Sequence, residues 1–245
     1  MVTTCSSVVP VLNKRMFIIF EDRPSDSPFV ERVWRSHSER ADSFSSVATP
    51  HWEMVVSKCR GTTSFIVRGP ETRATTVECP ADGEWFAIRF KLGTFMPLLP
   101  TAERRDHNNV ILPDASTQSF WLNGSAWEYP NFENAETFVN RLVHRGLVTA
   151  DPSVIAPSSI STRTRQRRFL RTTGITRSTA EQIERARQAT LLLREGRSIL
   201  DVVFETGYYD QPHLTRSLKH FIGLTPAEVA RADRQLSFLY NTNPS

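Results

Sequence analysis

Cysteine and glycine are both scarce in this chain. Its three cysteines, Cys5, Cys59 and Cys79, are scattered over 245 residues, and none falls in a Cys-x-x-Cys pair. An odd, dispersed set argues against a disulfide frame and against a zinc site, and fits free thiols in a reducing compartment. Ten glycines supply no glycine-rich loop of the kind that wraps a phosphate in backbone amides. No run of about 18 apolar residues occurs, so no segment reads as a membrane span. The apolar VVPVL near the start is followed, not preceded, by Lys14 and Arg15, the reverse of a secretory leader. The expectation is a cytoplasmic protein with no membrane partner. His-x-His is absent, and Ser, His and Asp never take the spacing of a nucleophile elbow.

What the chain does hold is unevenly placed charge. Residues 161–234 carry 14 Lys and Arg against 8 Asp and Glu, while the remainder carries 16 against 18. A basic C-terminal part joined to a slightly acidic one is the pattern of a polyanion binder attached to a second module. The length leaves room for two domains, each with its own core.

From Met16 the texture is strand-like. MFIIF, FVERVW, HWEMVVS, TSFIVRG, TTVEC and EWFAIRFKL are short runs rich in Val, Ile and aromatics. Turn clusters such as Arg23-Pro24-Ser25-Asp26 and Pro80-Ala81-Asp82-Gly83 separate them, which predicts a β-sandwich or barrel. Residues 1 to about 12 read as a featureless arm. Asp114-Ala115-Ser116 reads as the opening of a short helix through Phe120 and Trp121. Ala135 to Leu147 reads as an amphipathic helix, with Phe138, Leu142 and Val143 on one side and Asn140, Arg141 and His144 on the other. All five tryptophans, Trp34, Trp52, Trp85, Trp121 and Trp127, lie in this first part. Core packing accounts for most, and one or two suit the wall of a small-ligand pocket.

The C-terminal part is helical by its caps. Ser161 and Gly174 bracket one helix. The box Ser178-Thr179-Ala180-Glu181 opens a second that ends at Glu195, before Gly196. Ser198 caps a third, with Asp201 placed to reach back to its amides, and Gly207 breaks it. Asp210 caps a fourth, with Pro212 in its first turn. On that helix Leu214, Leu218 and Phe221 share one face and leave Gln211, His213, Thr215, Arg216 and Lys219 outside. Thr225-Pro226-Ala227-Glu228 is a further capping box. A short helix, a glycine turn and a second helix with this outer face form a helix-turn-helix suited to a DNA major groove.

The spacing G-Y-x-D-x-x-x-L-x-R-x-L-K from Gly207 to Lys219, followed by G-x-T-P, resembles the C-terminal DNA-binding domain of the AraC/XylS family of bacterial transcription regulators. ERVWRSHSERADSF, RFKLGTFMPLLP and FWLNGSAWEYPNFENAETFVNRLV look like one subgroup of such regulators. The resemblance implies an α+β protein: a cupin-like jelly roll over residues 13–130, then an AraC-type DNA-binding domain over 131–240 that includes the Ala135 helix. It makes the Ser161–Gly174 helix a first recognition helix. There Arg163, Gln166 and Arg167 reach bases and phosphates, and Arg168 and Arg171 lie along phosphates. Arg and Gln are the side chains that pair bidentately with guanine and adenine edges. The strut between, about 17 residues and ~25 Å long, can hold two recognition helices roughly one DNA turn, ~34 Å, apart. The implied partner is double-stranded DNA. Whether RNA polymerase, a small-molecule effector or a second copy of the chain joins it is left open. Neither catalysis nor a cofactor is expected.

This chain departs from the family pattern in three places. Arg165 stands where a buried Leu or Val is usual, and its charge resists burial unless the stem snorkels. DPSVIAPSS is short for the first helix of the first motif. Val203 stands where a small Ala would let two helices cross closely. A rival from another class is a cupin-type metalloenzyme carrying a helical tail. His51 and Glu53 would supply two ligands and a distant histidine such as His107 a third, but the glycine-flanked cupin metal motif is missing.

Overall fold

The computed structural model describes residues 17–106, 109–154, 161–231 and 236. The N-terminal arm, Cys5 and His107 lie outside them. The first part is built from strands β1 (Ile18–Pro24), β2 (Val30–Ser38), β3 (Asp42–Ser46), β4 (Glu53–Cys59), β5 (Thr62–Arg68), β6 (Thr75–Cys79), β7 (Glu84–Phe90), β8 (Thr94–Phe95), β9 (Val110–Leu112), β10 (Asp114–Ser116), β11 (Ser119–Leu122) and β12 (Ser125–Glu128). Helix α1 (Ala135–His144) and strand β13 (Thr149–Ala150) follow. Then come helices α2 (Thr162–Thr173), α3 (Arg177–Arg194), α4 (Ile199–Thr206), α5 (Gln211–Phe221) and α6 (Pro226–Ala230). The class is α+β, as the sequence implies.

Six strands form one antiparallel sheet in the order β1-β2-β7-β4-β5-β9, and β3 and β6 form a separate ribbon. The pairs β2·β7, β3·β6 and β4·β5 nest inside one another, as in a long hairpin rolled into a jelly roll. Arg60 and Gly61, both at positive φ, make the two-residue turn between β4 and β5 that strand twist favours.

The helix expected from Asp114 is absent: β10, β11 and β12 form a three-stranded antiparallel sheet. The reason is Asn123-Gly124, both at positive φ, which closes a tight hairpin between β11 and β12. This outweighs a weak helix cap at Asp114. Phe120, Leu122 and Trp127 of that sheet join Val33, Met54, Phe65 and Ile88 in the main core.

Helix α1 belongs to the same core by packing. Ala135, Phe138, Val139 and Leu142 are buried with Phe65, Phe120 and Trp127, so α1 packs on the β domain, whereas the resemblance grouped it with the DNA-binding half. Glu136 locks it in place. Its carboxylate accepts from both terminal nitrogens of Arg23 in β1, at 2.6 and 2.8 Å, and from Ser25 Oγ at 2.8 Å. The hydrogen bond from Arg23 outweighs partial burial and holds the Glu136 carboxyl down at about 2.

The other face of the sheet carries a row of charge. The register sets Glu53 of β4 opposite Arg68 of β5 and Arg89 of β7. Arg89 Nε donates to Oε1 at 2.7 Å, Arg68 Nη2 donates to Oε2 at 2.7 Å, and Trp34 Nε1 adds a bond to Oε1 at 3.3 Å. Burial alone would raise the Glu53 carboxyl, but the two guanidiniums hold it at about 2. Both Glu53 oxygens are therefore taken by these donors. His51 Nδ1 lies 2.9 Å from the Phe90 carbonyl and 3.1 Å from Glu31, and burial pushes its imidazole down to about 4. Among the described residues no three His, Cys, Asp or Glu side chains converge as metal ligands.

The folded-state value of Glu53, about 2, lies below its ordinary 4.5. Its contribution to stability is therefore present above pH 4.5 and lost as pH falls toward 2. Glu53→Gln should destabilise the β domain by about 3–5 kcal/mol at pH 7, because two half-buried guanidiniums lose the buried carboxylate between them. Urea titrations should also show a shallower loss of stability below pH 4.5 in the variant than in the parent.

Candidate DNA interface

The second helix-turn-helix forms as its caps dictate. Ser198 Oγ accepts from the Asp201 amide at 3.2 Å. The Asp201 carboxylate meets the Ser198 hydroxyl at 2.7 Å in place of the helix amides it was expected to reach. Gly207, at φ +70°, ends α4. Asp210 Oδ1 accepts from the His213 amide at 2.7 Å and opens α5. Leu214, Leu218 and Phe221 are buried, while Gln211, Arg216 and Lys219 are exposed. His213 and Thr215 are half-buried. The His213 ring stands edge-on to Tyr208 at 5.1 Å, and Thr215 donates its hydroxyl to the Gln211 carbonyl at 2.9 Å. Both capping-box bonds of Thr225 and Glu228 are made at the start of α6.

The first unit is built differently. Ser161 Oγ accepts from the Thr164 amide at 3.3 Å, and Gly174 ends α2 at φ +76°. Phe169 is buried, and Arg163, Gln166, Arg167 and Arg171 are exposed. Arg165 is half-buried, as a snorkelling stem would be. Arg168 departs from its expected place along the phosphates: it turns inward and donates to Ser153 Oγ at 3.1 Å. Of the segment ahead of α2, the described residues form one 3-10 turn, Pro152–Val154, and residues 155–160 lie outside them.

The β domain supports α2 directly. The 3-10 helix Thr101–Arg104 packs against the C-terminal end of α2. There Thr101 Oγ1 donates to the Thr172 carbonyl at 2.9 Å and accepts from Arg104 Nη2 at 3.3 Å. Arg104 is 1% exposed and stacks over Trp52 at 5.1 Å, and burial pushes its guanidinium down to about 10. The far end of α5 is held in the same way. The Ala48 amide donates to the Phe221 carbonyl at 2.8 Å, and the Ala74 amide to the His220 carbonyl at 2.9 Å. The last carbonyls of a helix have no partner inside it. In both recognition helices, groups of the β domain fill that need.

Between them runs α3, 18 residues long, or ~27 Å. Its cap is Thr176, whose Oγ1 accepts from the Thr179 amide at 3.1 Å, so the helix starts ahead of the Ser178 box. Ile183, Ala186, Ala189 and Leu193 are buried, and α3 packs against α2, α4, α5 and α6. Its Ser178, Gln182 and Arg185 form a stripe at i, i+4 and i+7. With His213 and Arg216 of α5 they line a groove of about 370 Å³. The spacing of this stripe is visible in the sequence, but nothing local distinguishes it from the solvent face of a strut.

The two glycines that end α2 and α4 separate local from interdomain effects. Gly207→Ala meets open space and should cost about 1–2 kcal/mol for the left-handed backbone alone. At Gly174 a Cβ would lie 2.9 Å from the Thr101 carbonyl carbon and the Ala102 amide. Gly174→Ala should therefore cost measurably more in urea denaturation, because the seat on the β domain must also shift.

Residues 157–232 match a family model described as a helix-turn-helix domain. Residues 23–124 match one described as a domain of unknown function (DUF6597). No curated protein and no solved structure matches the chain. No helix among the described residues is long and apolar enough to cross a membrane. Behind an N-terminal β domain the chain thus carries a C-terminal helix-turn-helix domain of the AraC type, which supports a DNA-binding transcription regulator.

Proposed function

We propose that one chain reads a specific DNA site through both recognition helices at once, with the β domain acting as effector and assembly module rather than as an enzyme. In this reading Arg163, Gln166 and Arg167 of α2 and Gln211, His213, Thr215 and Arg216 of α5 face the grooves, and Arg171 and Lys219 face phosphates. Arg168 leaves that set, since it is engaged with Ser153. Arg185 of α3 joins as a further phosphate contact, being beside Arg216 in one groove. The observation that carries the reading is the shared seat: donors from one β domain cap the C-terminal ends of both recognition helices. A body that holds both ends favours one relative placement of the two helices. A ligand or partner that prefers one arrangement of that body would shift the population able to engage DNA. A cytoplasmic location, RNA polymerase as a further partner and pairing of two chains through the β domain belong to the same reading.

Selection of bound fragments from random DNA tests it. The expected product is a shared sequence with two half-sites about 10 base pairs apart, bound at least ~10³-fold more tightly than random duplex. Arg216→Ala and Gln211→Ala should each weaken binding to that site by about 1–3 kcal/mol. Arg171→Ala should weaken all duplexes alike and flatten the salt dependence by about one unit. Recovery of no shared sequence would point to a non-specific binder, and an unchanged Arg216→Ala would remove α5 from the interface.

A further inference from the structure

We propose that Arg104 is a positioning residue for the first recognition helix: its buried charge is balanced by the C-terminal end of α2, which fixes where that helix sits relative to α5. The proposal rests on the reading that both helices engage one DNA site, and it names the side chain that sets the first of them.

Arg104 is a buried charge without a buried acid. It is 1% exposed, yet its Nε and Nη1 meet no acceptor among the described residues. The acid that acts on it there is Glu103, which is exposed. Asp106, two residues on, is engaged by the Thr72 amide and hydroxyl at 2.7 and 2.8 Å. The guanidinium lies over the Trp52 ring, 5.1 Å from its centroid. That ring is fixed by stacking on Phe90 at 3.8 Å and by donating Nε1 to the Thr94 carbonyl at 2.6 Å. An aromatic face offsets part of the desolvation of a cation, but it does not replace the hydrogen bonds that two donor groups give up on burial. A methionine would pack in this place without that cost, so the charge calls for a role beyond filling space.

The negative charge it meets is the end of α2. Aligned peptide dipoles leave about half a negative charge at a helix C-terminus, where a cation is favoured. Arg104 Nη2 donates to Thr101 Oγ1 at 3.3 Å, and that hydroxyl donates to the Thr172 carbonyl at 2.9 Å. The guanidinium thus sits two hydrogen bonds from the last turn of α2, and each bond polarises the next. Backbone contact closes the same joint: a Cβ on Gly174 would lie 2.9 Å from the Thr101 carbonyl carbon and the Ala102 amide.

A charge in this place selects one placement of the helix. Slipping α2 by one residue turns its terminal carbonyls by about 100°. That takes the Thr172 oxygen off the Thr101 hydroxyl and leaves a buried guanidinium without a counter-charge. Stripping a buried charge of its partner is costly even where the matched arrangement adds little net stability. An apolar side chain would fill the space and tolerate the slip. The end of α5 is held otherwise, its carbonyls matched by the backbone amides of Ala48 and Ala74. Arg104 therefore acts on the first half-site and not on the second.

The test uses the full chain and three kinds of duplex: the selected site, that site with a short insertion between its half-sites, and the α5 half-site alone. Arg104→Met should weaken binding to the selected site about tenfold or more and reduce the penalty for the insertion. It should leave affinity for the α5 half-site within about twofold of the parent. Its urea midpoint should equal or exceed the parent's, since an unmatched buried charge is gone. Thr101→Val, which keeps the guanidinium and breaks the path to Thr172, should show the same loss on the selected site, and Thr101→Ser should bind as the parent does. The double variant, Arg104→Met with Thr101→Val, should lose no more than either alone, as residues acting through one another do. Should Arg104→Met fold poorly, Thr101→Val against Thr101→Ser carries the same test. The proposal is overturned if Arg104→Met keeps the parent's affinity and insertion penalty, if the α5 half-site weakens equally, if Thr101→Val binds as Thr101→Ser does, or if the two losses add. A parent that binds every insertion equally sinks the two-helix reading, and this proposal with it. A parent with a sharp spacing preference that both variants keep sinks this proposal alone.

Discussion

Carbonyl groups at the ends of two helices organise this molecule. An α-helix leaves its last carbonyls without internal partners, and buried ones must be matched or their desolvation is uncompensated. In α2 the Thr172 carbonyl is matched by the Thr101 hydroxyl. In α5 the carbonyls of His220 and Phe221 are matched by the amides of Ala74 and Ala48. The donors come from two loops and a 3-10 helix of the β domain. Apolar contact follows the same path: Val47 and Ala48 are buried in one cluster with Leu218, Phe221 and Ile222. The β domain is thus part of the DNA-reading unit's support, not a separate bead on a linker.

That role explains why the β domain carries so much internal reinforcement. Nested strand pairs fix the loops from which the donors project. The charge row Arg68–Glu53–Arg89 crosses the sheet and lines one cavity with Val47 and Thr49, and Thr49 exchanges backbone hydrogen bonds with Glu71 at 2.8 and 2.9 Å. Arg104 orients the Thr101 hydroxyl by occupying its lone pair. Buried ion clusters contribute little net stability over apolar packing but are costly to break from one side. They make a register hard to slip, which is what a support for two helices requires.

The sequence displayed the second helix-turn-helix almost completely, because its caps are local. Ser198, Gly207, Asp210 and Thr225 each act within four residues of themselves. The same held for Ser161 and Gly174 around α2. Interactions across long stretches of chain were not legible. Thr101 and Thr172 are 71 residues apart, and neither is an unusual residue in its surroundings. Arg168 looked like its neighbours Arg167 and Arg171 until Ser153 was placed beside it. The face of α1 was readable, but the surface it covers was not, since an apolar stripe does not name its partner. The Glu53 row needed the strand register. Asn123-Gly124 was the one strong local signal passed over, and it decides the fold of residues 114–128.

The central claim is that one rigid support holds both recognition helices at a single spacing. The most direct measurement is the affinity of the full chain for its selected site with base pairs inserted between the two half-sites. An insertion of about five base pairs turns one half-site to the opposite face of the duplex. The account predicts that affinity then falls by about 10³-fold, toward the non-specific level, and recovers only in part at any other spacing. Equal affinity across the insertion series would show two units that move independently, and would contradict it.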